Sequence, residues 1–168
     1  GFYYRLYYQI NLANALLRET TEEQLNARGV SASDQAQINY FRAEARFHRA
    51  LSYYYLLDMF SNVPFVDEDS PVGSTLPPQI QGADLFDYIE SELLAIETEL
   101  LDPFVGYNPN YYGRVHKAAS WALLSRLYLN AETYTGNAKY TESITYSNKV
   151  LNENFSLDPV YANIFKSD

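Results

Sequence analysis

Cysteine and long apolar runs are both absent from this 168-residue chain. Without cysteine there is no disulfide framework, no thiolate zinc site and no cysteine nucleophile, and the redox compartment stays undetermined. No run approaches the roughly 18 to 20 uninterrupted apolar residues that cross a bilayer. We therefore expect no transmembrane segment within this sequence.

Basic side chains are also few. Twelve Lys and Arg stand against 21 Asp and Glu, which gives a formal net charge of -9. A surface this negative repels nucleic-acid phosphates and anionic lipid headgroups. The charge therefore argues against nucleic acid or an acidic membrane surface as partner, and it is compatible with a neutral ligand.

Tyrosine is abundant where tryptophan is scarce, with 17 Tyr and nine Phe against one Trp. A tyrosine ring has an apolar face and a polar tip. An excess of such rings suits helix interfaces with wet edges, and it equally suits surfaces that stack on sugars.

Helical periodicity dominates the chain, and no stretch alternates like a strand. The pattern predicts helices over residues 3–19, 33–60, 84–101, 114–131 and 141–152, with one further turn within 159–165. Loops rich in Pro, Gly, Asn and Asp separate these helices. We predict an all-α fold of tetratricopeptide-like antiparallel helix pairs with long loops, an α-α superhelix.

The apolar spacing assigns the faces of these helices. Two stripes have clear three- and four-residue spacing, and their members are Leu6, Ile10, Ala13 and Leu17 in the first helix and Leu85, Ile89, Leu93, Ile96 and Leu100 in the third. The fourth helix is apolar around most of its circumference and should be central. Arg42, Arg46 and Arg49 are predicted to form a solvated stripe on the second helix.

An internal echo supports repeated helix pairs. Ala45, Phe47 and Tyr54 recur as Ala119, Trp121 and Tyr128 at a constant offset of 74 positions, which two tetratricopeptide units and a loop insertion would produce. Periodicity alone leaves an ordinary helical bundle equally open.

Two loops are candidates for function. The loop 61–82 is long enough to be functional or to pack on a further segment. The second is an aromatic loop at residues 107–113, which offers sugar rings a combination of stacking faces and amide groups. Its candidate ligand-binding residues are Tyr107, Asn108, Asn110, Tyr111 and Tyr112. The alternative is that these tyrosines seal the loop against a neighbouring helix or another part of the protein.

Three segments of the chain form a recognisable pattern. Residues 43–50 read Ala-Glu-Ala-Arg-Phe-His-Arg-Ala, residues 53–57 read Tyr-Tyr-Tyr-Leu-Leu, and residues 60–66 read Phe-Ser-Asn-Val-Pro-Phe-Val. These segments resemble the SusD/RagB family. The family pattern is roughly Gly-Glu-Ala-Arg-Phe-Leu-Arg-Ala, an aromatic-rich helix, then Phe-Gly-Asp-Val-Pro-Leu-Val. The chain departs from it at Ala43, His48, Ser61 and Asn62. Blocks at 113–129 and 140–165 follow in the family's order.

The resemblance implies a non-catalytic glycan-binding role at a bacterial cell surface. It also implies a lipid-modified cysteine upstream, a SusC-like TonB-dependent outer-membrane transporter as partner, and an outer-membrane location. Tyr3 and Tyr4 lie near a position where many family members carry an aromatic residue, so they form a second candidate group. We expect residues 1–168 to be a single SusD-like helical domain, a fragment of a longer protein.

Catalytic and metal-binding motifs are weak by comparison. His48 and His116 lack metal-ligand spacing, and residues 67–69 lack the glycine and the final acid of a calcium loop. Acids at 87, 90, 97 and 99 are predicted to line an outer helix face as solubilising charge. We therefore predict no cofactor and no enzymatic activity. A helical glycosidase has no support in the sequence. The main alternative function is that of a helical-repeat scaffold that binds proteins.

Overall fold

The computed structural model describes residues 1–73, 76–103, 111–153 and 155–166. Its helices are α1 (Phe2–Glu19), α2 (Glu22–Ala27), α3 (Ala32–Phe60), α4 (Gly82–Ala95), α5 (Lys117–Leu129), α6 (Ala131–Thr135) and α7 (Tyr140–Leu151). Two short 3₁₀ segments, Ile96–Thr98 and Tyr161–Phe165, accompany them, together with the two-residue strands β1 (Val63–Pro64) and β2 (Gln79–Ile80). The prediction of an all-α fold is confirmed.

Two antiparallel helix pairs frame the molecule. The start of α1 meets the end of α3, where the rings of Tyr3 and Phe60 lie 5.3 Å apart. The end of α1 meets the start of α3, where Arg42 Nη1 donates to the Leu17 carbonyl at 2.8 Å. Helices α5 and α7 pair in the same antiparallel way, and α4 packs against α3, α5 and α6. This arrangement matches the predicted antiparallel helix pairs.

The predicted apolar stripes form the core. All four members of the α1 stripe are buried, and so are the five positions from Leu85 to Leu100. The echoed residues Tyr54 and Tyr128 are both buried as well. Helix α5, which the sequence predicted to be central and apolar on most sides, is only partly buried, because Leu129 at its end is exposed.

Several boundaries differ from the sequence prediction for local reasons. Helix α3 begins at Ala32, one residue earlier than expected, because the Ser31 hydroxyl, which accepts from the Asp34 amide at 3.2 Å, is its N-cap. Helix α2 is too short to leave a periodic signal, and a Thr21 cap defines its start. Helix α5 begins only at Lys117, because the backbone before it is extended and bridges to Leu101.

The loop after α3 contains the small antiparallel ladder that the sequence did not predict. Val63 pairs with Ile80 and Pro64 with Gln79. The Phe65 amide then donates to the Pro78 carbonyl at 2.9 Å. Paired ends fold the loop back on itself and lay its first half along α1 and α3. Among the described residues, no helix combines the length and apolar character that a bilayer span requires.

Candidate functional site

The aromatic loop returns to the helices through a tight turn. The Arg114 amide donates to the Tyr111 carbonyl at 3.0 Å, and Gly113 takes a positive φ of 76° that its missing Cβ permits. Tyr111 is 41% exposed and Tyr112 is 70% exposed. The other predicted site residues of this loop, Tyr107, Asn108 and Asn110, lie outside the described residues.

Arg114 fixes the end of this loop to α3. Its Nε donates to Glu44 Oε1 at 2.6 Å, and the Val115 amide donates to the same oxygen at 3.2 Å. The guanidinium group also lies over the Phe41 ring at 4.8 Å. One carboxylate and one ring on α3 therefore hold the backbone beside the two tyrosines.

A groove of about 330 Å³ separates the loop end from the first half of α3. Helix α3 contributes Ser33, Gln37 and Tyr40, and the opposite wall contains Tyr111 and Arg114. The groove thus combines two aromatic rings with neutral polar side chains, and Glu44 compensates its one cation.

The second candidate group, Tyr3 and Tyr4 at the start of α1, lies beside the C-terminal end of α3. Tyr3 is half-buried, with its ring 4.8 Å from Tyr7 and 5.3 Å from Phe60, whereas Tyr4 is 77% exposed. Phe60 follows Tyr40 by twenty residues of continuous helix, which is ~30 Å at 1.5 Å per residue. The two predicted aromatic groups are therefore separate surfaces, and they do not form one site.

The prediction of a solvated arginine stripe on α3 is wrong. Arg49 is only 1% exposed, and its side chain donates to Asn14 Oδ1 at 2.7 Å, to Glu92 Oε2 at 2.9 Å and to the carboxylate of Glu68. Arg46 contacts the same Glu92 carboxylate at 2.9 Å. The face is covered because α1, α4 and the loop after α3 all close over it, and α4 and the loop supply Glu92 and Glu68 as ion-pair partners.

Burial and ion pairing act in opposite directions on this cluster. Burial alone raises the pKa of Glu92, but hydrogen bonds from Arg46 and Arg49 outweigh it and hold that pKa below its ordinary value of 4.5. Burial lowers the pKa of Arg49, and its hydrogen bonds to Glu68 and Glu92 more than reverse this. The carboxylate and the guanidinium groups therefore stay ionised together.

The same region pins the loop after α3. Tyr53 donates its hydroxyl hydrogen to the Val66 carbonyl at 2.7 Å and accepts from the Val66 amide at 2.9 Å. Tyr7 donates to the Pro64 carbonyl at 2.7 Å, and Arg18 donates to the Glu68 carbonyl at 2.7 Å. This loop therefore packs on α1 and α3 of the same chain, and the sequence prediction had instead offered a functional role or packing on a further segment.

The prediction of an outer acidic face along residues 84–101 is only partly right. Asp87 and Glu99 are exposed, but Glu90 and Glu97 are half-buried. Glu90 pairs with Lys139, and Glu97 accepts from Lys149 and from Trp121 Nε1 at 2.9 Å. Burial raises the pKa of Glu97, and these hydrogen bonds lower it further than burial raises it.

The described ranges contain no group of three or more His, Asp or Glu residues arranged to hold a metal ion. His48 is exposed on α3, and the His116 ring stacks on Phe155 with centroids 5.8 Å apart. In the 67–69 turn, the Asp67 carboxylate accepts from Ser70 and the Glu68 carboxylate accepts from Arg49.

Several solved structures share this helical arrangement. The surface glycan-binding protein A of Bacteroides uniformis superposes with a TM-score of 0.78 at 22% identity, covering 99% of this chain and 35% of that one. A laminarin-binding SusD-like protein gives a TM-score of 0.66 at 25% identity, covering 90% of this chain and 29% of that one. No protein-family model matches the sequence.

Sequence identity decides the relationship. The starch-binding protein SusD of Bacteroides thetaiotaomicron is 36% identical over 166 residues, which are 99% of this chain and 27% of SusD. The chain is SusD-like in sequence and in fold. The resemblance inferred from residues 43–66 is thereby confirmed. The SusD-like chain spans about a third or less of the length of these relatives, from 27% of SusD to 35% of the Bacteroides uniformis protein.

Proposed function

We propose that this chain binds a neutral glycan at a bacterial cell surface and does not cleave it. The observation that carries the proposal is the 36% identity to a starch-binding protein along 99% of the chain. The structural likeness to a laminarin-binding SusD-like protein supports the same ligand class. A net charge of -9 favours neutral glycans over anionic ones.

The binding surface in this proposal is the aromatic loop. Tyr111 and Tyr112 present exposed rings at its end, and Tyr107, Asn108 and Asn110 precede them in sequence. Exposed aromatic rings can contact the apolar face of a sugar, and nearby amides can bond its hydroxyls. Tyr3 and Tyr4 form a second, separate contact surface.

The ionisation of two half-buried acids supports binding without hydrolysis. A glycosidase needs one carboxylic acid with a raised pKa to protonate the leaving group. Glu92 and Glu97 instead have lowered pKa values, because arginine or lysine and other donors hold them as carboxylates. These two residues are therefore suited to holding helices together and unsuited to the role of general acid.

Location and partner follow as the finer part of the proposal. Residues 1–168 would be one helical domain of a longer lipoprotein on the outer membrane, which passes its ligand to a SusC-like TonB-dependent transporter. The coverage of 27% of SusD is consistent with such a longer protein. Co-purification with a TonB-dependent transporter from solubilised outer membranes tests this part.

Affinity gel electrophoresis tests the binding itself. Native gels cast with starch, laminarin or xyloglucan should retard the protein relative to bovine serum albumin, whereas a gel without polysaccharide should not. If no neutral polysaccharide retards the protein, the proposed function is wrong.

An interaction scaffold is the second candidate function, and one surface of α1 favours it. Exposed apolar side chains repeat every four residues along this helix, at Tyr4, Tyr8, Leu12 and Leu16. Contiguous apolar ridges of this kind are commonly covered by protein. Absence of glycan retardation, together with capture of a protein that depends on Leu12, would favour this candidate.

A further inference from the structure

A groove lies between α3 and the end of the aromatic loop, beside Tyr111. Ser33, Gln37 and Tyr40 are four and three residues apart, so they lie on one face of α3. Tyr111 and Arg114 stand opposite them. The volume of about 330 Å³ lies at the lower end of the range for small-ligand sites.

Tyr40 is the feature of this groove that packing does not explain. Its side chain is 42% exposed on the groove wall. Within the described ranges, no other ring packs against Tyr40 and no hydrogen bond involves its hydroxyl. An exposed ring beside a concavity loses water favourably when an apolar ligand face covers it.

The opposite wall is held in place before any ligand arrives. Glu44 accepts from both Arg114 Nε and the Val115 amide, and Phe41 lies beneath the guanidinium group. A wall fixed in this way loses little conformational entropy on binding. Because Glu44 also neutralises the arginine, the groove has no uncompensated charge with which to attract an anion.

We propose that this groove binds a short stretch of a neutral oligosaccharide, with Tyr40 and Tyr111 on its apolar faces and Gln37 and Ser33 bonding its hydroxyls. The inference rests on the proposed glycan binding, and it adds where on the chain the ligand lies and which residues of α3 contact it. Tyr40 is then a binding residue that lies on α3, outside the aromatic loop.

Substitution of Tyr40 tests the groove. In affinity gels with starch, laminarin and xyloglucan, Tyr40→Ala should weaken binding by about tenfold, as for loss of a central aromatic contact. Tyr40→Phe should bind like the wild type, because the ring face remains. Tyr8→Ala is the matched control, since it removes another exposed tyrosine, on α1, and it should leave retardation unchanged.

A second variant fills the groove and does not depend on losing a contact. Gln37→Trp adds a bulky ring on the exposed face of α3, so it should reduce retardation while thermal unfolding stays as in the wild type. If the wild type is retarded and both Tyr40→Ala and Gln37→Trp bind equally well, the groove is not the site, although glycan binding stands.

The remaining outcomes separate ligand class from function. Retardation by alginate, an anionic polysaccharide, without retardation by any neutral one would overturn the neutral-ligand assignment. If the wild type is retarded by no polysaccharide at all, the proposed function itself fails, and the groove inference fails with it.

Discussion

Arg49 on α3 and Glu92 on α4 meet across the helix interface, with Arg49 Nη2 2.9 Å from Glu92 Oε2. Arg49 also bonds Asn14 on α1 and the carboxylate of Glu68 in the loop after α3. One buried guanidinium group on α3 therefore connects this helix to α1, to α4 and to the loop after α3. Arg46 completes the carboxylate's bonding at 2.9 Å from Glu92 Oε1.

Removing the Glu92 charge should destabilise the fold strongly. Glu92→Gln leaves Arg46 and Arg49 without their shared carboxylate while keeping nearly the same side-chain shape. We expect the free energy of unfolding to fall by about 3 kcal/mol, the lower end for breaking a buried ion pair, since Glu92 keeps some exposure. Urea unfolding followed by far-UV circular dichroism measures this loss.

Glu19→Gln is the matched control for that substitution. Glu19 pairs with Arg28, and both side chains are about half exposed or more. A pair of this kind contributes about 0 to 1 kcal/mol. Equal losses for Glu92→Gln and Glu19→Gln would mean that the buried cluster has no special role in stability.

The lowered pKa of Glu92 predicts a dependence of stability on acid. A carboxylate whose pKa is lower in the folded state binds its proton more readily after unfolding. Its contribution is therefore present above the ordinary pKa of 4.5 and is lost as the pH falls through the lower folded value. The free energy of unfolding should fall more steeply between pH 5 and lower pH in the wild type than in Glu92→Gln. Parallel curves for the two proteins would contradict this assignment.

Two buried tyrosines should respond oppositely to loss of the hydroxyl. Tyr53→Phe removes both hydrogen bonds to Val66 and leaves that backbone amide unpaired, so we expect a loss of about 2 kcal/mol. The Tyr88 hydroxyl is buried and has no hydrogen-bond partner in the described part of the chain. Tyr88→Phe should therefore leave stability unchanged or raise it by up to about 1 kcal/mol. Urea titrations of both variants, with Tyr8→Phe as an exposed control, distinguish them, and a loss at Tyr88 equal to that at Tyr53 would count against the explanation.

The aromatic loop and the start of α1 should contribute independently to glycan retention. Combined replacement of Tyr111 and Tyr112 by Ala should weaken retention in affinity gels by about tenfold without unfolding the domain. When Tyr4→Ala is added, the fold-loss of retention should equal the product of the losses measured for Tyr4→Ala and for the loop variant alone. The two surfaces should act independently because they lie at opposite ends of α3, ~30 Å apart. A combined effect well above or below that product would indicate one continuous site. Unchanged retention in the loop variant would remove the loop from the proposal.

Spacing along the chain was sufficient for the core but insufficient for the charged cluster. Leu85, Ile89 and Leu93 follow helical periodicity, so their common buried face could be predicted without knowing their neighbours. Arg49 and Glu92 are 43 residues apart, and only the folded arrangement of α3 against α4 brings them together. Charged residues read in isolation favour solvent, which is why the arginine stripe was predicted to be exposed.

The candidate site divides in the same way. The exposed rings of Tyr111 and Tyr112 could be predicted from a loop rich in turn-forming residues. Tyr40 could not, because its position on α3 is a surface position in any helical pattern and becomes a groove wall only beside Arg114. The constraint that joins them, Glu44 bonded to Arg114, spans 70 residues of sequence.

Replacement of Ser61 by glycine should stabilise the protein. Ser61 ends α3 with φ 61° and ψ -70°, and the Asn62 amide donates to the Phe60 carbonyl at 2.7 Å across it. This is a γ-turn with positive φ, a strained conformation for any residue with a Cβ. The SusD/RagB pattern has glycine at this position. Relief of the strain exceeds the entropy that glycine adds to the unfolded chain, so we expect a gain of about 1 kcal/mol.

Ser33→Gly is the matched control, because the same substitution at this position should lower the stability. Ser33 is exposed within the first turn of α3, where helical φ suits serine and glycine costs about 0.5 to 1 kcal/mol. Urea midpoints should therefore rise for Ser61→Gly and fall for Ser33→Gly. If both variants lose stability, the positive φ at Ser61 does not destabilise the folded protein, and the explanation from backbone strain is wrong.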